Sequence, residues 1–126
     1  MIFRYTILYV PDVRACLDFY ARAFGLTQGF LHETGHFGEL QTGETKLAFC
    51  SVELMEQLGK RVATRPPALP SFEIAFETED VAAALDRAVA EGAELVQGVE
   101  RMDWGQTTAY VRSPDGTMIE ICTKVG

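Results

Sequence analysis

The chain reads the same way twice, and that repetition is its strongest constraint. Residues Tyr5 to Val13 lie over Glu73 to Val81 without a gap, at an offset of 68 residues. In the first copy, β-branched and aromatic residues 4–10 predict a strand ended by Pro11. Asp12 then stands at an N-cap position before a helix over Val13–Phe24, in which Val13, Cys16, Leu17, Tyr20, Ala23 and Phe24 share a face. Gly25 stops it, and Leu26–Glu33, Phe37–Gln41 and Lys46–Val52 predict three strands turned at Thr34-Gly35 and Thr42-Gly43. The second copy repeats this order. A strand over Ser71–Glu77 leads to the cap Asp80, then to a helix from Val81 to about Glu91 with Val81, Ala84, Leu85, Ala88 and Val89 on one face. Gly92 stops that helix, and strands come next over Ala93–Glu100, Thr107–Arg112 and Met118–Lys124, the last two joined by a turn over Ser113–Gly116.

Two copies of a βαβββ unit are too few to stack as a solenoid, so they must pair. The predicted class is α+β, with two paired modules whose curved mixed sheets enclose a cleft and whose helices lie outside. Module one covers about 2–52, a proline-bearing connector about 53–70 with one helical turn near Glu53–Leu58, and module two about 71–125. At 126 residues this is one domain with a core of ordinary size.

Strand alternation assigns the faces. Leu8 and Val10 lie opposite Tyr5, Ile7 and Tyr9; Ile74 and Phe76 lie opposite Glu73, Ala75 and Glu77; Ile119 and Ile121 lie opposite Met118, Glu120 and Cys122. One face of each sheet wants to pack under a helix. The other mixes carboxylates with aromatic groups.

Charge narrows the partners. Eighteen acidic residues against eleven basic give −7, which repels a phosphate backbone and an anionic membrane surface, so neither nucleic acid nor membrane is expected. No apolar run approaches the length of a bilayer span, and the opening MIFRYTILYV reads as a strand rather than a signal peptide. The widely spaced Cys16, Cys50 and Cys122 form neither a disulfide framework nor a zinc motif, and fit a reducing cytoplasm. No GxSxG, P-loop or GxGxxG occurs.

The sequence resembles the vicinal oxygen chelate superfamily, which holds glyoxalase I, extradiol dioxygenases, fosfomycin-resistance enzymes and bleomycin-binding proteins. The resemblance rests on Val10–Val13, Phe19-Tyr20 and Phe24–Leu26, then on Trp104–Gln106, Ser113–Gly116 and Ile119–Ile121, in that order. It spans nearly the whole chain and is nearest the small glyoxalase/bleomycin-resistance proteins.

In metal-dependent members, the resemblance implies a His, Glu, His, Glu set. Those positions fall here on Tyr5, on Ala48 (or Phe49 if the alignment slips by one), on Glu73 and on Glu120. Both histidines and one carboxylate are absent, so no tight transition-metal site and no cofactor are expected; two carboxylates leave room for magnesium or manganese held weakly through water. His32 and His36 do not rebuild the set. A two-residue turn at Thr34-Gly35 would pair Glu33 with His36 and His32 with Phe37, sending the two imidazoles to opposite, exposed faces.

Glu73 and Glu120 are the candidate catalytic groups. Close carboxylates disfavour joint ionisation, so the pair could serve as base and acid or grip a cation; the bland alternative is a relic hydrogen-bonded to Tyr5 or a nearby Thr or Gln. Tyr5, Trp104, Gln106, Thr108, Tyr110 and Arg112 are the candidate ligand-binding residues, Arg112 as an answer to one carboxylate. Trp104 either stacks on a planar ligand or packs over the sandwich edge. Phe19, Tyr20 and Phe24 read as core. The expected function is binding of a small cationic or aromatic molecule in an acidic cleft. The alternative is a lyase, isomerase or dioxygenase of the same superfamily using Glu73 and Glu120 as base or weak divalent-metal ligands. The connector is long enough for module exchange, and a homodimer is expected.

Overall fold

The computed structural model describes residues 1–125. The chain divides into two compact units, Met1–Arg65 and a second beginning at Pro66. The first contains β1 (Tyr5–Val10), α1 (Val13–Phe24), β2 (Gln28–Leu31), β3 (Phe37–Leu40), β4 (Lys46–Ser51) and α2 (Val52–Gln57). The second contains β5 (Glu73–Glu77), α3 (Val81–Ala90), β6 (Glu94–Arg101), β7 (Thr107–Arg112) and β8 (Met118–Cys122). Each is the expected α+β module with a mixed four-stranded sheet, ordered β1-β4-β3-β2 in one and β5-β8-β7-β6 in the other.

Local chemistry explains the matched start of each module. Asp12 accepts the Ala15 N–H at 3.0 Å and Asp80 accepts the Ala83 N–H at 3.0 Å, so each helix begins where a carboxylate satisfies an orphan donor. Gly25, at φ 69°, closes α1 in the left-handed conformation that a side chain would resist. Both helices lay an apolar stripe on their own sheet. In the first unit Val13, Leu17 and Tyr20 are buried with Leu8, Val10, Leu40 and Phe49, and the Tyr20 and Phe49 rings lie 5.2 Å apart. In the second, Val81, Leu85 and Ala88 are buried with Val111, Ile119 and Ile121. Val89, expected on that stripe, is exposed; α3 turns it away from the sheet.

Several ends differ from expectation. The β2–β3 connection is longer than a two-residue turn. His32 donates its N–H to the Phe37 carbonyl at 2.9 Å, and Gly35 returns its own to the His32 carbonyl at 2.9 Å, leaving four residues in the loop. The Thr34 hydroxyl stabilises this wider turn by bonding the His32 ring and the His36 N–H, so the expected Glu33–His36 pair does not form. β5 starts at Glu73 rather than Ser71, β8 ends at Cys122 rather than Lys124, and β6 is bulged. The proline-bearing stretch carries α2 at its start, and the division between units falls inside it.

Gly38 marks the tightest approach of helix to sheet. A Cβ there would stand 2.7 Å from Leu17 Cδ1 and 3.2 Å from Val13 Cγ1, both in a filled core. Gly38→Ala is therefore expected to destabilise the protein by about 1–3 kcal/mol through overpacking. Urea unfolding reads this directly, and an unchanged midpoint would mean that α1 can lift from the sheet at little cost.

Candidate functional site

Parallel pairing of first and last strands builds the site. In the second unit Glu73 lies beside Met118, Ala75 beside Glu120 and Glu77 beside Cys122. β7 joins from the other side of β8, with Tyr110 directly across from Glu120 and Arg112 across from Met118. Residues opposite one another in paired strands share a face, so Glu73, Glu120 and Tyr110 project from the side of the sheet that faces away from α3.

The three form one hydrogen-bonded group. The Tyr110 hydroxyl lies 2.7 Å from Glu120 Oε2 and 3.1 Å from Glu73 Oε2. A phenol has one proton, so a single donor serves two carboxylates. Desolvation, followed by the hydrogen bonds and charges of Glu120 and Glu73, raises the Tyr110 phenol well above the ordinary tyrosine value. The shift favours the protonated phenol, the form that can donate to both carboxylates. The sequence placed Tyr110 and both carboxylates on this face; only the register shows that the tyrosine bridges them.

The same register decides the first unit's counterpart. Ile7 pairs with Ala48 there as Ala75 pairs with Glu120 here, so the second of the four ligand-like positions is Ala48. Phe49 is excluded because its ring packs on Tyr20 in the core. Tyr5 projects from the corresponding open face and meets Phe37 edge-on at 6.3 Å. Of the four positions, then, Ala48 offers no donor and Tyr5 only a phenol, while both carboxylates are engaged by Tyr110. Among the described residues no group of three or more His, Cys, Asp or Glu is placed to hold a metal ion. This donor set does not fit a tightly bound transition metal.

The histidines have local duties. His32 is exposed and bonds Thr34, whereas His36 is half-buried with Nδ1 2.6 Å from Ser51 Oγ, the hydroxyl that caps α2. The expectation of two exposed imidazoles is corrected for His36, because the wider loop carries it onto β4.

The remaining candidates divide. Trp104 is 64% exposed beside Gly105, and its Nε1–H donates to Gln106 Oε1 at 2.8 Å. Gln106 in turn donates to the Thr123 carbonyl at 2.9 Å, so the indole is pinned in the open rather than packed away. Gln106 and Thr108, expected to touch ligand, are only 9% and 1% exposed. Gln97 on β6 donates its Nε2–H to the Thr108 hydroxyl at 3.2 Å, so neither side chain is open to a ligand. Arg112 also departs from expectation. Among the described residues its guanidinium meets no carboxylate but donates to the carbonyls of Gly116 at 2.9 Å, Ala68 at 3.0 Å and Pro67 at 2.6 Å. Cys122 neighbours Glu120, yet burial first and that carboxylate second push its thiol up, which disfavours the thiolate.

Tyr110 gives the face a pH signature. A phenol whose folded pKa lies above its unfolded one contributes stability that is complete below the unfolded value and is lost as pH rises beyond it. Wild-type stability should therefore fall more between about pH 9 and about pH 11 than that of Tyr110→Phe. Urea midpoints at the two pH values test this; parallel losses in both proteins would show that the bridge does not hold the phenol's proton.

The chain matches the family model of the Glyoxalase/Bleomycin resistance protein/Dioxygenase superfamily over residues 2–121. It is 27% identical over 117 residues to the uncharacterized protein YraH of Bacillus subtilis strain 168, covering 90% of this chain and 91% of that one. Among solved structures it resembles a glyoxalase-related enzyme from Fulvimarina pelagi, with 28% identity, a TM-score of 0.78 and coverage of 96% of this chain and 86% of that chain. It shares its fold with a superfamily enzyme from Burkholderia phytofirmans PsJN, at 20% identity, a TM-score of 0.81 and 98% coverage of both chains. A duplicated βαβββ architecture and a family match over nearly its whole length make this chain a member of the glyoxalase/bleomycin resistance protein/dioxygenase superfamily.

Proposed function

We propose that the protein binds a small cationic or aromatic molecule on the acidic open face of its second unit, without a tightly held transition metal and without a cofactor. The observation that carries this reading is the Tyr110 bridge. It holds two carboxylates together on the open face, each bonded through Oε2. A cation with several N–H donors satisfies that arrangement better than a neutral molecule does. The pinned, exposed indole of Trp104 supplies a flat apolar surface on the same unit. Bleomycin resistance within the family supports sequestration as the biological role, in a cytoplasmic protein with no nucleic-acid or membrane partner.

The catalytic alternative is a lyase, isomerase or dioxygenase with Glu73 or Glu120 as base. The glyoxalase-related structural relative favours it, as does the accessible position of Glu73. On this reading a divalent ion such as magnesium sits weakly on the two carboxylates and water.

Fluorescence of Trp104, the sole tryptophan, tests binding against a panel of cationic aromatic compounds. A compound that binds should lose about 1–3 kcal/mol of affinity in Trp104→Ala and a comparable amount in Glu120→Gln. Unchanged affinity in both variants would remove this face as the site. EDTA treatment should leave the melting temperature as it was, since a metal held only by the folded state would stabilise it by mass action. A large drop restored by one divalent ion would favour the alternative.

We further propose a homodimer. The open face of the first unit's sheet exposes Tyr5, Ile7 and Tyr9, an aromatic and apolar patch that a second copy would cover. Sedimentation at micromolar concentration should give twice 13.9 kDa. A clean monomer would refute the assembly.

A further inference from the structure

Arg112 is a candidate ligand residue that gives its whole guanidinium to the chain itself. Its planar fork donates to the carbonyls of Pro67 and Ala68 on one side and of Gly116 on the other. The segment it holds suits it. Pro66 and Pro67 carry no N–H, so these two residues present only acceptors from the backbone. Gly116 lets the segment come close: at φ 90°, a Cβ there would stand 2.1 Å from Pro66 Cβ. A groove of about 400 Å³ runs along the contact, between the prolines and the β7–β8 turn.

Between this dock and β5 the chain is otherwise lightly held. Leu69 and Phe72 are exposed, and Glu73 is the first residue of β5, an edge strand. Strand ends at an edge open first unless something ties them. The bond from Tyr110 to Glu73, at 3.1 Å, is also longer than the 2.7 Å bond to Glu120 on the interior strand β8.

We propose that Arg112 is a positioning residue: by holding the carbonyls of Pro67 and Ala68 against the β7–β8 turn, it fixes the approach to β5 and sets the Glu73 carboxylate on the Tyr110 hydroxyl. The proposal deepens the reading of Glu73, Tyr110 and Glu120 as the binding group. It also accounts for a guanidinium on the same strand as Tyr110 leaving both carboxylates unneutralised.

Nuclear magnetic resonance on the ligand-free protein tests it, through amide exchange and the Glu73 carboxyl carbon signal. In Arg112→Ala, the β5 amides that bond to β8, from Glu73 onward, should exchange about tenfold faster or more, while the β7–β8 ladder keeps its protection. The Glu73 carboxyl signal should move toward its position in Tyr110→Phe, and Arg112→Lys should restore part of both effects. Gly116→Ala, which pushes Pro66 off the turn, should reproduce them from the opposite side; if it fails to fold, the two Arg112 variants decide. Faster exchange with an unmoved Glu73 signal would overturn the proposal by reducing Arg112 to a structural tie. Unchanged exchange, or loss of protection throughout the second unit, would overturn it as well. No ligand enters the experiment, so a failure to find a ligand leaves its result standing.

Discussion

The parallel pairing of first and last strand is what the rest of this structure depends on. β1 with β4, and β5 with β8, can lie side by side only because a capped helix carries the chain over one face of the sheet between them. That crossover buries one face under α1 or α3 and leaves the other open. It also brings together residues far apart in sequence, such as Ala75 and Glu120. Asp12 and Asp80 begin both crossovers with the same hydrogen bond, so small local interactions set a long-range arrangement.

On the open face of the second unit, the chemistry turns on one proton shared between two carboxylates. Tyr110 donates toward both, and its own ionisation is suppressed by desolvation and by their charge. The two units carry the same scaffold and differ here in a few side chains. Ala48 stands where the second unit has Glu120, and Tyr5 where it has Glu73. Duplication preserved the backbone and let the open faces diverge, one toward aromatic groups and one toward acid. Fold membership therefore says little about chemistry at these positions.

Arg112 shows how a residue type can mislead. A basic side chain on the acidic face invites an ion pair, and strand alternation puts it there. In the structure backbone carbonyls take the guanidinium, because the prolines present acceptors in a rigid stretch and Gly116 lets them come close. Gln106 and Thr108 mislead in a milder way. Alternation puts them on the right face, yet both are buried and bonded, Gln106 by Trp104 and Thr108 by Gln97.

The sequence by itself determined the repeat, the N-caps, the helix stripes and the faces of the strands. All of these come from periodicity and from hydrogen bonds within a few residues of one another. It also set the ligand pattern that the resemblance implies against Tyr5 and against Ala48 or Phe49, none of them a histidine or a carboxylate. What it could not supply was register. The choice between Ala48 and Phe49, the length of the β2–β3 loop that moves His36 onto Ser51, and the meeting of Tyr110 with both Glu73 and Glu120 each hang on a shift of one or two residues. Such a shift changes almost nothing in local propensity, but it turns a side chain to the other face or carries it past its partner. Only the packed sheets, with Phe49 seated against Tyr20 and Tyr110 opposite Glu120, decide it.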